Sequence, residues 1–156
     1  MRRSYTPRAF APIANNLFAD HPRCALFGKP GIGKTLLGLT HLEHLHNVAG
    51  EDRPSLVLAP LRVARDGWAA EAAKWEHLAG FDVAPVVGTP SQREAALARD
   101  VPVYTTNYEQ LPWLVERFGK RWPFGTVIAD ECTKLKGFRL RQGGMRATAL
   151  ARVAHK

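Results

Sequence analysis

The feature that most narrows what this chain can be is the octapeptide Gly28-Lys29-Pro30-Gly31-Ile32-Gly33-Lys34-Thr35. It satisfies the pattern G-x-x-x-x-G-K-[ST] in full. It also falls between an apolar run, Cys24-Ala25-Leu26-Phe27, and a helix-periodic stretch from Lys34 to Val48. Strand, glycine-rich turn and helix in that order build a phosphate cradle. The glycines let successive backbone N–H groups converge, and the helix aims the positive end of its dipole at the same point. In such a cradle Gly28, Gly31 and Gly33 shape the loop, and Lys34 neutralises the β and γ phosphates of ATP. Thr35 offers a hydroxyl to magnesium. The bland reading, a glycine-rich turn with a surface lysine, leaves the flanking strand and helix unexplained.

A second site of matching chemistry stands far downstream at Thr126-Val127-Ile128-Ala129-Asp130-Glu131, an apolar strand that ends in two carboxylates. The end of a strand in a parallel sheet opens on the edge where the cradle lies, which lets Asp130 hold magnesium. Successive side chains of a strand point opposite ways, so Glu131 is free to orient an attacking water. An apolar run followed by Asp-Glu is a weak signal alone, and the complete octapeptide upstream raises it to a Walker B site. On this reading Lys34 and Glu131 are the catalytic residues, and Thr35 and Asp130 are the metal ligands.

The rest of the chain supplies the matching architecture. Short apolar runs at Cys24–Phe27, Leu56–Ala59, Val83–Val87, Val101–Thr105 and Thr126–Ala129 alternate with helix-periodic stretches at Lys34–Val48, Val63–Leu78, Ser91–Ala98, Tyr108–Phe118 and Met145–Val153. That alternation predicts a parallel sheet with crossover helices. The 156 residues suffice for one α/β domain and not for two. Residues before Cys24 are broken by Pro7, Pro12, Asn15, Asn16 and Asp20, and Lys134 to Gly144 reads as a solvated loop.

The motifs together resemble the first RecA-like domain of superfamily 2 helicases, and more narrowly Swi/Snf-type helicases carried by bacteriophages. Besides the two sites above, the resemblance rests on Leu56-Val57-Leu58-Ala59-Pro60-Leu61-Arg62-Val63, which looks like motif Ia, and on the Trp68 and Trp75 helix after it. It rests further on Val103-Tyr104-Thr105-Thr106-Asn107-Tyr108-Glu109, and on the basic continuation Cys132-Thr133-Lys134-Leu135-Lys136-Gly137. It implies a RecA-like P-loop NTPase fold, a largely parallel sheet with helices on both faces. It also implies nucleic-acid contacts at Pro60, Arg62, Thr105, Thr106 and Asn107, each of which could equally be a strand-end or capping residue. Two departures follow from the same resemblance. Arg8-Ala9-Phe10-Ala11-Pro12 lacks the glutamine that reads adenine in the family, which weakens adenine specificity. The chain reads as truncated before the motif III strand and before the second RecA-like domain with its arginine finger. It therefore looks like a fragment or one piece of a split motor.

Composition sets the partner class. Lys and Arg outnumber Asp and Glu by 22 to 14, a net charge of +8, which suits a polyanion. DNA is the expected partner, RNA is an open alternative, and a second RecA-like domain on another chain would complete a motor. No apolar run is long enough for a membrane span, so the expectation is a cytoplasmic protein, in the host cytoplasm if phage-encoded. The expected function is the ATP-binding motor domain of a DNA-dependent ATPase or helicase. Its alternatives are a small stand-alone P-loop kinase and a nucleotide- or DNA-binding module without turnover. Three local features read as structural. His41 and His44 share a solvated helix face while His46 points elsewhere, Trp68 and Trp75 pack on the sheet, and Cys132 is a small buried filler.

Overall fold

The computed structural model describes residues 1–135 and 144–153, so most of the expected loop from Lys134 to Gly144, with Lys136 and Gly137, lies outside the described residues. Among the described residues four strands form one sheet: β1 (Ser55–Ala59), β2 (Val83–Pro85), β3 (Val103–Asn107) and β4 (Thr126–Ala129). Their order is β2-β3-β1-β4, and every pairing is parallel. The crossovers run through α3 (Trp68–Ala72), α4 (Pro90–Leu97) and α5 (Leu111–Phe118), with α1 (Ala11–Asp20) and α2 (Lys34–Asn47) before β1 and α6 (Met145–Val153) after β4.

The alternation of side chains along β1 explains why the sheet needs helices on both faces. Leu56 and Leu58 face a core shared with Tyr104, Leu111, Leu114, Ala149 and Val153, which belongs to α5 and α6. Val57 and Ala59 face the opposite core, shared with Leu39, Leu42, Trp68 and Ala72 of α2 and α3. All four of these β1 residues are fully buried. The α/β fold with a largely parallel sheet is therefore as the sequence predicts.

Several expectations change in detail. Cys24–Phe27 forms no strand. Cys24, Ala25 and Phe27 are exposed, Phe27 at 85%, and no ladder joins this segment to β4 among the described residues. A strand exists only through a partner, and β4 pairs with β1 alone, leaving its other edge toward a cavity. The strand expected from Val101 begins at Val103, because Pro102 has no N–H to give to a ladder. The proline-broken start contains a helix after all. Pro12 sits in the first turn of α1, where a missing N–H costs nothing. The stretch Val63–Leu78 divides into a π-helical turn (Val63–Gly67), α3 and a turn. Its end is drawn off by the N-terminus, where the Arg3 N–H donates to the Lys74 carbonyl and the Glu76 N–H to the Arg3 carbonyl. Cys132, expected to be buried, is exposed.

Candidate functional site

The octapeptide has the conformation its glycines predict. Gly31 and Gly33 have φ of +78° and +96°, a region where a Cβ is strained, and nothing lies within 4 Å of where that Cβ would be. Gly33 is the N-cap of α2 and no side chain caps the helix, so its first N–H groups remain available to an anion. The Lys34 ammonium donates to the carbonyls of Gly28 at 3.0 Å and Lys29 at 3.2 Å, folding back over its own loop. Arg8 steadies the loop from outside, its guanidinium donating to the Ile32 carbonyl at 3.1 Å. Arg8 belongs to the segment that lacks the family's adenine-reading glutamine, and it touches the octapeptide itself.

Asp130 is held at three points. Its backbone N–H donates to the Leu58 carbonyl at 2.8 Å, which extends the β1–β4 ladder by one residue. Its carbonyl accepts from the Tyr108 hydroxyl at 2.6 Å, and its carboxylate oxygen Oδ2 accepts from the Trp68 indole N–H at 3.3 Å. Burial pushes the Tyr108 hydroxyl well above the ordinary tyrosine range, and the Asp130 charge adds to it, so Tyr108 remains a proton donor. Glu131 follows with φ of +54°, in the left-handed region that costs a non-glycine residue roughly 1–2 kcal/mol. Among the described residues it is alone in this, and such strain tends to be kept where a site requires it.

A cavity of about 520 Å³ gathers these groups. Gly28, Lys34, Asp130 and Glu131 line it together with Trp68 and the 24–27 segment. Thr35 is half-buried in the first turn of α2 and is not on the cavity wall. Of the two expected metal ligands Asp130 lines the cavity, and a carboxylate oxygen is the kind of donor that magnesium takes beside phosphate.

Residues 14–142 match the family described as SNF2-related domain. The chain belongs to this family. SNF2-related domains are helicase-like ATPase motor domains, which use ATP and magnesium and typically bind DNA. A curated relative, "Putative protein p41" of Acyrthosiphon pisum secondary endosymbiont phage 1, is 48% identical over 155 residues, or 99% of this chain. The chain spans about a third of that relative's length, 34%.

The remaining expected residues divide by burial. In this SNF2-related domain Pro60 and Arg62 follow β1 directly, half-buried and exposed respectively, on the carboxyl edge of the sheet. Asn107 pairs with Ala59 in the ladder and so stands on that same edge. It is buried, its amide nitrogen donating to Glu109 at 2.7 Å while its oxygen has no hydrogen-bond partner. Thr105 and Thr106 are corrected. Both are 0% exposed, with hydroxyls donating to the carbonyls of Ala64 and Val86, so no surface remains for a phosphate contact. They tie the loop after β1 and the end of β2 to β3 instead. Sequence reasoning missed the contacts of Tyr108 and Trp68 at Asp130, since no periodicity records contacts made across 22 and 62 residues.

Proposed function

We propose that this SNF2-related domain is the ATP-binding lobe of a DNA-dependent ATPase or helicase, one domain across residues 1–156. The observation that carries the reading is the convergence of Gly28, Lys34, Asp130 and Glu131 on a single cavity at the carboxyl edge of a parallel sheet. In this reading the Lys34 ammonium leaves the Gly28 and Lys29 carbonyls and pairs with the β and γ phosphates. The open N–H groups of α2 bind the same phosphates, with Gly31 and Gly33 keeping the loop clear of side chains. Asp130 and Thr35 hold magnesium, which when bound neutralises charge between phosphate oxygens. Glu131 orients the attacking water.

DNA is the partner the charge and family favour, and RNA is the alternative. Pro60 and Arg62 are the proposed backbone contacts, and Asn107 lends a buried amide behind them. Such a motor works in the cytoplasm, where its substrates are. A second RecA-like lobe would bring the arginine finger, a group worth roughly 10³ to 10⁵ in rate in related phosphoryl-transfer enzymes. These 156 residues assayed alone are therefore expected to bind nucleotide and turn it over slowly.

The test compares Lys34→Ala with Lys29→Ala in Mg-ATP binding. Lys34→Ala is expected to abolish binding and Lys29→Ala to leave most of it, because Lys29 occupies a variable place in the pattern. Equal losses would remove the phosphate-cradle reading. In parallel, DNA affinity is expected to fall steeply from 50 to about 200 mM salt as counterions are released. A salt-independent affinity would remove the nucleic-acid reading, and phosphate transfer to a small acceptor would favour a kinase.

A further inference from the structure

Trp68 was expected to be a packing residue, and by burial it is one, with 1% of its surface exposed. Burial also imposes a requirement on it, because an indole N–H removed from water must find an acceptor. The acceptor is Oδ2 of Asp130, at 3.3 Å. The ring is fixed from the other side by α2, where a Cβ added at Gly38 would lie 2.9 Å from ring atom Cη2. Trp68 thus stands between the helix that begins at Lys34 and the carboxylate that ends β4. It does so from the first residue of α3, directly behind the π-helical turn Val63–Gly67.

We infer that Trp68 is a positioning residue for the metal site. Its N–H holds one oxygen of the Asp130 carboxylate and leaves the other turned to the ion. The inference rests on the assignment of Asp130 as a magnesium ligand proposed above. A neutral donor is suited to the task, since it orients the carboxylate without bringing a charge that competes with the cation. The other constraints on Asp130 act on its backbone, through Leu58 and Tyr108, and do not fix the rotation of the carboxylate. That rotation depends on Trp68. Outer partners of this kind are worth about 10–100-fold in metal affinity. The glycine at 38 follows from the same arrangement, because a larger residue would displace the ring.

Trp68→Phe keeps an aromatic ring and removes the N–H. With a fluorescent ADP analogue as probe, the magnesium concentration at half-maximal binding is expected to rise about 10–100-fold. Binding without magnesium is expected to change less than about twofold, since Asp130 meets nucleotide only through the ion. A purely structural Trp68 would weaken both together or neither, and either result overturns the inference. Should Trp68→Phe fail to fold, the native chain still decides through its four tryptophans. One indole N–H resonance is expected to move on adding magnesium with ADP, and the same resonance is expected to be displaced in Asp130→Ala. If no resonance responds to both, Trp68 does not act on the site. If wild type shows no magnesium dependence at all, the metal reading of Asp130 fails and this inference with it. Unchanged magnesium dependence in Trp68→Phe overturns the positioning role alone.

Discussion

The two sides of β1 are built to different degrees of closure. Toward β3 the sheet is enclosed, with β1 and β3 buried along their whole length and helices over both faces. Toward the phosphate loop it is open. β4 is only half-buried, the 24–27 segment joins no ladder, and between them lies the cavity that holds Lys34 and Asp130. A second cavity, walled by α1, Phe124 to Val127 and α6, continues along the same border. The contrast shows where stability and chemistry reside in this domain. Its most enclosed part is the β1–β3 pair, and the proposed functional groups stand at the margin where the sheet is least complete.

The comparison predicts its largest effect in the core. Leu58→Ala removes a fully buried side chain from the β1 face and is expected to cost about 2–5 kcal/mol. Phe27→Ala, though the residue is larger, is expected to change stability by no more than ~0.5 kcal/mol, because it is 85% exposed. Urea unfolding of both variants measures the difference. Comparable losses would mean that Phe27 is covered in solution and that the open side is closed there.

A smaller effect is expected at Gly38, where the two halves meet. Replacing a mid-helix glycine by alanine ordinarily gains about 1 kcal/mol. At Gly38 the new Cβ would come within 2.9 Å of the Trp68 ring, a rigid neighbour that cannot swing aside. Overpacking of this kind costs about 1–3 kcal/mol, so Gly38→Ala is expected to be destabilising by about 1 kcal/mol net. A rise in melting temperature would show that Trp68 is free to move, and would loosen its hold on Asp130.

What the sequence made legible follows the same division. The β1, β3 and β4 runs and most crossover helices were readable, because a strand buried on both faces is apolar throughout and helix spacing is local. The octapeptide and the Asp130-Glu131 pair stand out in sequence because each follows a fixed spacing, and the structure brings Gly28, Lys34, Asp130 and Glu131 to one cavity. Cys24–Phe27 has the composition of a strand and misled for that reason, since composition does not say whether a partner edge is at hand. Thr105 and Thr106 misled differently. Their hydroxyls resemble phosphate contacts in sequence, yet both are spent on carbonyls inside the fold. α1 was hidden by Pro12, a helix breaker everywhere except the first turn, where it sits.

The smallest expected effect is a pH dependence that draws on both halves. His41 lies on the open side, tilted against the Phe18 ring and lining both cavities. His77 lies on the enclosed side, stacked on Tyr5 and hydrogen-bonded to Thr40. Burial lowers both imidazoles below their ordinary 6.5, and the neighbouring His44 lowers His41 further. A histidine held below its unfolded value binds fewer protons when folded, so the contribution of its neutral form is complete above 6.5 and is lost as pH falls through the depressed folded value. Stability is therefore expected to decline as pH falls from 7 past 6.5 toward the depressed folded values. The Arg-paired carboxylates Glu51 and Glu94 are not involved in that interval, since they are held below 4.5 and begin to matter only at lower pH. Melting curves across the interval separate the two halves. His77→Gln is expected to flatten the decline by the enclosed side's share. His44→Gln is expected to flatten it only in part, because it removes the like charge at His41 and leaves the burial. If His44→Gln has no effect while His77→Gln removes the whole decline, then His41 is solvated as freely as its open surroundings allow, and the acid sensitivity belongs to the enclosed half alone.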